Sequence, residues 1–462
     1  MSLMESESSN LAGLLERALD TSLDFVGSLA ERPAACVAPP DLPSGLLPEQ
    51  GVGSEKTLDR FREELLPYLS ASAGPRYWGF VTGGATPAAL LGDWLSSVTD
   101  QNLSVAGDSI APAVEVQVLD WLRQLFRLPE TFSGSLTSGA TSANLLGILC
   151  GRQFAGEVQG IDVAASGLAG TLIHVFSACP HASSLKGLAM AGLGRDSLMS
   201  VACEPDSEKM SLSALEYALS ASGSPGKIVL ASAGTVTGTD FDDLAGIADL
   251  CRKYRAWLHV DGAFGIFSRL LDDKRNWTDG IERADSITCD GHKWLNVPYD
   301  SGIFLTPHTR LLEQVLSVPS PYLANDSSLP SFMNRGVENS RRFRALPIWF
   351  SLQAYGRAGV EEMVAGNCQQ AARLADWLEA STDYELLTPC KLNVVVFRPA
   401  NVDDLTGWLK RLNATGTVFM TPGRWQGTDA VRAAFSNWST TTADVDRVTG
   451  LLEKMAEGES PV

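Results

Sequence analysis

The chain has 462 residues, 45% of them hydrophobic, and a formal net charge of −18, which is ample for a large core and for two or three domains of roughly 100 to 200 residues each. The acidic balance and the lack of any long basic run argue against nucleic acid as a partner, because phosphate binding needs clustered Lys and Arg. No stretch supplies about 18 uninterrupted apolar residues, and the opening MSLMESESSN carries acids where a secretory signal carries an apolar core, so neither a membrane partner nor export is expected.

Residues 11–30 place Leu11, Leu14, Leu15, Leu19, Phe25, Val26 and Leu29 at helical spacing, an amphipathic helix that the Pro-rich stretch 33–48 ends. A second helix is predicted from Lys56 to about Leu66, where Pro67 stops it, and Gly74-Pro75 closes this arm, residues 1–75. Such an arm has little core of its own and packs either on a partner or as a helical layer on the same chain. Arg76-Tyr77-Trp78-Gly79-Phe80-Val81-Thr82-Gly83-Gly84 follows, aromatics beside glycines that permit close turns. Those aromatics are core flanking a turn or the wall of a site. A strand at 133–138 runs into Gly139-Ala140-Thr141-Ser142-Ala143-Asn144 and an apolar helix from Leu145. Strand, small residues, then helix is the geometry of an anion cradle built from helix amide groups. Further strands at 171–178 and 227–233, a crossover helix at 241–254 capped by Asp240 or Asp242, and a buried run at 257–261 give the βαβ rhythm of a parallel sheet.

Asp261 ends one of these strands, and Lys293 lies just past the end of the next, 284–289. Strand carboxyl ends converge on the ligand crevice of an α/β protein. A buried carboxylate needs a cation or donor, and a protonated pyridine nitrogen supplies one. An acid for the ring nitrogen and an amine for the aldehyde are what pyridoxal phosphate requires. Beyond Lys293 come a strand at 302–306, a loop-rich span containing Val318-Pro319-Ser320-Pro321-Tyr322-Leu323, and a segment with helices at 361–381, 405–412 and 442–455 and strands at 393–398, 416–420 and 430–436. That last segment reads as an α+β domain. The eight cysteines show no CxxC or Cys-His spacing, which favours reduced thiols in the cytoplasm and no metal site.

DSITCDGHKWLNVPYDSG and WLHVDGAFG resemble the two cofactor motifs of the group II pyridoxal-phosphate-dependent amino-acid decarboxylases, and the resemblance extends over about residues 76–355. It implies a PLP-dependent transferase fold of type I: a large α/β domain at 76–345 around a mainly parallel seven-stranded sheet, a small α+β domain at 346–462, and an amino-terminal arm that wraps the partner subunit of a homodimer with shared active sites. Lys293 would carry pyridoxal 5'-phosphate and Asp261 would hold the pyridine nitrogen. HASSLK resembles the motif whose histidine, here His181, stacks over the ring and positions the substrate carboxylate. Ala140 and Thr141 would bind the phosphate, Thr235 and His292 would sit near the cofactor, and Trp78, Phe80 and Thr82 would line the substrate entrance, leaning towards an aromatic or apolar amino acid. Tyr322 matches the loop tyrosine that reprotonates the α-carbon. Four positions depart from the family: Val236 stands where the family's Gly-Thr-Thr has its second threonine, Asp290 where several members have asparagine near the phosphate, Ser340 where a glycine offers its amide to the other subunit's phosphate, and Pro347 where a lysine precedes the tryptophan. The reaction implied is loss of CO₂ from an L-amino acid to give the amine. The alternatives are transamination, aldehyde-forming deamination, carbon-carbon lysis, or a homologue that binds the cofactor without catalysis.

Overall fold

The computed structural model describes residues 2–36, 40–42, 45–103, 109–317 and 329–458. Its large domain is built on a seven-stranded sheet of β1 (Ser133–Thr137), β2 (Ile173–Ser177), β3 (Leu198–Ser200), β4 (Gly226–Ser232), β5 (Trp257–Asp261), β6 (Ser286–Asp290) and β7 (Gly302–Thr306), in the order β1-β7-β6-β5-β4-β2-β3. Only β7 runs against its neighbours, β1 and β6. The central strands are apolar on both sides because helices cover both faces of the sheet. The helix Ala140–Glu157 lies on one face, where Leu146, Ile148 and Cys150 share a core with Val175, Ile228 and Trp257. On the other face, the helices Ala111–Leu125 and Leu244–Tyr254 bury Val118, Leu122 and Ile247 against Val229, Leu258 and Ile287.

Helix and sheet approach closely where the helix has no side chain. A Cβ on Gly147 would stand 2.2 Å from Nδ1 of His259 in β5, so only glycine lets the helix seat over that ring. The expected strands at 171–178, 227–233 and 257–261 are all found within two residues. The helix at 241–254 begins later, at Leu244, and Asp243 caps it by accepting from Gly246 N at 3.0 Å. Asp240 and Asp242, the expected caps, instead accept from Glu208 N at 2.6 Å and from Met210 N and Ser232 N at 2.6 and 2.7 Å.

The small domain holds four antiparallel strands, β8 (Tyr384–Leu386), β9 (Val394–Pro399), β10 (Thr421–Trp425) and β11 (Thr428–Ala434), in the order β10-β11-β9-β8. The strand expected at 416–420 lies instead at β10, which contains Pro422 and Gly423. An edge strand tolerates proline because its outward amide needs no partner. The helix expected from Glu361 begins at Ala345 and runs to Ala380 through a kink at Gly356, whose φ is 59°. Pro347 is accepted in its first turn, where the missing amide is not needed.

Candidate active site

The carboxyl ends of β1, β2, β4, β5 and β6 all open on one edge of the sheet, and a cavity of about 450 Å³ lies there. It is lined by Ala140 and Thr141 after β1, His181 after β2, Thr235 after β4, Asp261 on β5, and Asp290, His292 and Lys293 at and after β6. The parallel connectivity thus gathers residues that lie up to 153 positions apart in the chain.

Lys293 Nζ lies 2.9 Å from Asp290 Oδ2, and Asp290 Oδ1 accepts from Ala140 N at 2.5 Å. Burial works to lower the ammonium's pKa, but the carboxylates of Asp290 and Asp261 outweigh it and hold Lys293 above its usual range. The lysine's backbone is clamped from the other side. Gly83 N donates to His292 O at 3.2 Å, and a Cβ on Gly83 would stand 1.7 Å from the carbonyl oxygen of Lys293. His292 accepts from Ser301 N at Nδ1, 3.2 Å, and its ring stacks on Tyr299 with centroids 4.3 Å apart. Burial lowers the pKa of this imidazole.

Asp261 accepts from Asn144 Nδ2 at 2.9 Å and from Ala263 N at 3.1 Å. Two hydrogen bonds leave a carboxylate further lone pairs for a donor in the cavity. His181 presents its ring to the cavity, with Nδ1 accepting from Ser183 N at 3.2 Å and 2.7 Å from Ser183 Oγ. The surrounding protein lowers its pKa, chiefly by desolvation. Thr235 is buried at the cavity wall and its hydroxyl donates to Glu208 Oε2.

Other expected site residues lie elsewhere. Trp78 is not at the entrance: it is 1% exposed in the small-domain core, its ring tilted against Phe435 with centroids 4.3 Å apart and its Nε1 donating to Pro75 O at 2.9 Å. Strand-like bonds of its backbone to Phe419 O and Ala434 N, at 2.9 and 2.8 Å, hold it there. Thr82 is buried behind the wall, its hydroxyl 3.2 Å from Tyr299 Oη. Ser340 is exposed and outside the cavity of its own chain. Tyr322 lies outside the described residues. Phe80 does line the cavity, and it and Val81 adopt φ of 58° and 61°, a region that costs side-chain-bearing residues roughly 1–3 kcal/mol each. The two strained residues turn the chain so that both face the cavity.

The sequence reading missed Arg432, Tyr299, Val81 and Asn144. Arg432 enters from β11, 4% exposed; its Nε donates to Val236 O at 2.5 Å and its buried Nη2 has no protein partner among the described residues. Burial pushes its pKa down to about 10 against the opposing pull of Glu208. The available signal was an arginine inside the apolar run AVRAAF.

Residues 45–400 match the family described as the pyridoxal-dependent decarboxylase conserved domain. The chain belongs to that family. An aromatic-L-amino-acid decarboxylase of Bacillus atrophaeus is 26% identical over 96% of this chain and 94% of its own length. An L-2,4-diaminobutyrate decarboxylase of Rhizobium meliloti (strain 1021) is 31% identical over 76% and 70%. The crystal structure of Oryza sativa TDC with PLP and tryptamine superposes with a TM-score of 0.89 at 23% identity, covering 98% of both chains. The fold is therefore that of fold-type-I PLP enzymes, and this pyridoxal-dependent decarboxylase is a carboxy-lyase that uses pyridoxal phosphate.

The residues present fit that cofactor. Asp261 offers the kind of acceptor that a pyridinium nitrogen would need, and Lys293 an amine that an aldehyde would take. The helix Ala140–Glu157 starts at Gly139 with no side-chain cap, so its first turn, with the Ser138, Thr141 and Ser142 hydroxyls beside it, is chemically suited to a phosphate. Asp290 already occupies the Ala140 amide, and its charge is matched by Lys293.

Proposed function

We propose that this decarboxylase releases CO₂ from an L-amino acid with an aromatic or apolar side chain, acting as a cytoplasmic homodimer. The observation that carries the reading is one cavity lined by a lysine and a carboxylate at adjacent strand ends and by two groups that can donate to a carboxylate, His181 and Arg432. Bound pyridoxal phosphate supplies an aldehyde and a sink for the electron pair released at the α-carbon. Lys293 holds the cofactor and Asp261 keeps the proton on its ring nitrogen. His181 and the unpartnered Arg432 Nη2 hold the substrate carboxylate so that its bond to the α-carbon is the one that breaks, since orientation selects the reaction. Phe80, Val81 and Val236 give the cavity apolar surface that takes the side chain. Tyr322 delivers the proton to the α-carbon.

Dimerisation is supported by an uncovered stripe on the helix Leu11–Gly27: Leu11, Leu15, Leu19, Leu23 and Val26 are all exposed in the single chain, as are Leu91, Trp94, Leu95 and Val98 on the helix Pro87–Thr99. Sedimentation should give twice the 49.4 kDa chain mass. A panel of L-amino acids with CO₂ and amine detection tests the reaction. Release of CO₂ and amine from an aromatic substrate, abolished in Lys293→Ala, is expected; aldehyde or keto acid as main product overturns it. Tyr322→Phe should divert product away from amine.

A further inference from the structure

We propose that Asn144 is a positioning residue that fixes the proton positions of the site. It is the centre of a hydrogen-bond chain of single polarity, running from Trp257 to Asp261 and to His181, that presents His181 to the cavity as a neutral Nε2–H donor.

The polarity follows from groups that can act in only one sense. Asp261 as a carboxylate only accepts, so the Asn144 group 2.9 Å from its Oδ2 is the amide nitrogen and the opposite end is the carbonyl oxygen. That oxygen lies 2.8 Å from His259 Nε2, which must carry the proton. Thr288 Oγ1, at 3.5 Å, is too distant to compete for it. With Nε2 protonated, neutral His259 offers a bare Nδ1 to Ser286 Oγ at 2.8 Å, so the serine donates there. At the far end, the indole of Trp257 only donates, and it reaches the same Ser286 Oγ at 3.1 Å. Both ends thus demand the same direction. Burial keeps His259 uncharged by pushing its pKa down to about 4.

The second amide hydrogen of Asn144 points to Ser183 Oγ at 3.0 Å. With its oxygen accepting from Asn144, the Ser183 hydroxyl is free to donate to His181 Nδ1 at 2.7 Å, where the Ser183 backbone amide also donates. Nδ1 is therefore an acceptor and the His181 proton sits on Nε2. Charging His181 would set an N–H at Nδ1 against the Ser183 amide. This histidine thus acts as a neutral donor to a carboxylate rather than as a proton source, a conclusion that rests on the role proposed for His181 above. The close seat of Gly147 under His259 holds the chain in register.

The test is long-range ¹H–¹⁵N correlation on full-length protein with labelled histidine, carrying pyridoxal phosphate and again after its removal. Its five histidines are assigned by single His→Gln variants. The expected result at pH 7.5 is Nε2–H with bare Nδ1 for both His181 and His259, unchanged down to pH 6. In Asn144→Asp, which cannot donate, His259 should become charged by pH 6; in Asn144→Leu His259 should lose the single-tautomer pattern, while His181 keeps the Ser183 amide on Nδ1 and shifts only in its ¹⁵N resonances. An Nδ1–H or charged form of either ring in the wild type overturns the proposal, as does an Asn144→Leu spectrum identical to wild type. Should the Asn144 variants fail to fold, Ser183→Ala serves for His181, where a pKa above the wild-type value is expected and an unchanged one counts against the chain. Because the spectra need no turnover, a correct tautomer pattern in a protein that releases no CO₂ would overturn only the proposed reaction.

Discussion

Arg341 and Glu115 form an ion pair whose side chains are 1% and 0% exposed, with Nη2 and Oε1 2.7 Å apart. The pair also finishes the free edge of the sheet. β1 is an edge strand, and Leu136 turns its outward N–H to Glu115 Oε1 at 3.1 Å and its C=O to Arg341 Nη1 at 2.6 Å. At 2.7 Å and an effective dielectric of 20 the attraction is about 6 kcal/mol, largely offset by desolvation of both ions. The net worth is therefore small, whereas removing one partner strands a buried charge and costs about 3–5 kcal/mol. Arg341→Met is expected to lower stability by that amount, a fall of about 1–2 M in urea midpoint for an m-value of about 3 kcal/mol/M. Glu115→Leu should be similar. The double variant leaves only the two Leu136 backbone groups unpaired, at about 1–3 kcal/mol each, so the pair should show a coupling of about 4 kcal/mol at the centre of these ranges. Urea unfolding followed by both fluorescence and circular dichroism makes the measurement and checks that the transition is a single one. Additive single effects, within about 0.5 kcal/mol, would refute the reasoning.

Gly83→Ala should yield folded protein that no longer retains the cofactor's absorbance band, because the new methyl collides with the Lys293 carbonyl. Cys36, exposed, should alkylate first at pH 8, while Cys150, Cys251 and Cys289, whose pKa values burial raises, and Cys179, pushed up to about 12 by burial, should react only on unfolding; peptide mass mapping over time decides. His259, pushed down to about 4, binds fewer protons folded than unfolded, so its contribution to stability is complete above about pH 6.5 and is lost as pH falls towards 4, in total about 3 kcal/mol. Asp242, pushed up to about 6 by burial, acts in the opposite sense over the same range, so His259→Gln should lose less stability than the wild type on acidification from pH 6 to 4.5 in urea titrations.

What the sequence makes legible is chemistry carried by short local runs. Asp261 and Lys293 each follow an apolar strand, and parallel topology then places all such ends on one edge, so their meeting could be argued before any coordinates. Arg432 could not be argued so, because its place depends on the small sheet packing against the loop at Val236. Trp78 failed for the same reason in reverse: aromatics beside glycines suit a cavity wall or a core, and the choice is made by strand-like bonds to Phe419 and Ala434, more than 300 residues away. Among the three aspartates at 240, 242 and 243, a capping preference alone cannot choose. The loop at Glu208 and Met210 claims the first two and leaves Asp243 for the helix.

Asp290 is where local expectation and fold meet most directly. An acid beside a phosphate site is unfavourable unless it is protonated or turned away. Here the carboxylate keeps its charge balanced: one oxygen takes the ammonium of Lys293, and the other takes the first amide of the very helix whose amino terminus attracts anions. His292, 3.6 Å from the same carboxylate, is discouraged from charging by burial. The acid and the lysine therefore form a nearly neutral unit at the helix end, and the remaining amides of that first turn keep their pull on an anion. The carboxylate in turn aims the lysine, holding Nζ 2.9 Å from Oδ2 in the cavity that Asp261 also lines, where the amine would be available to an aldehyde.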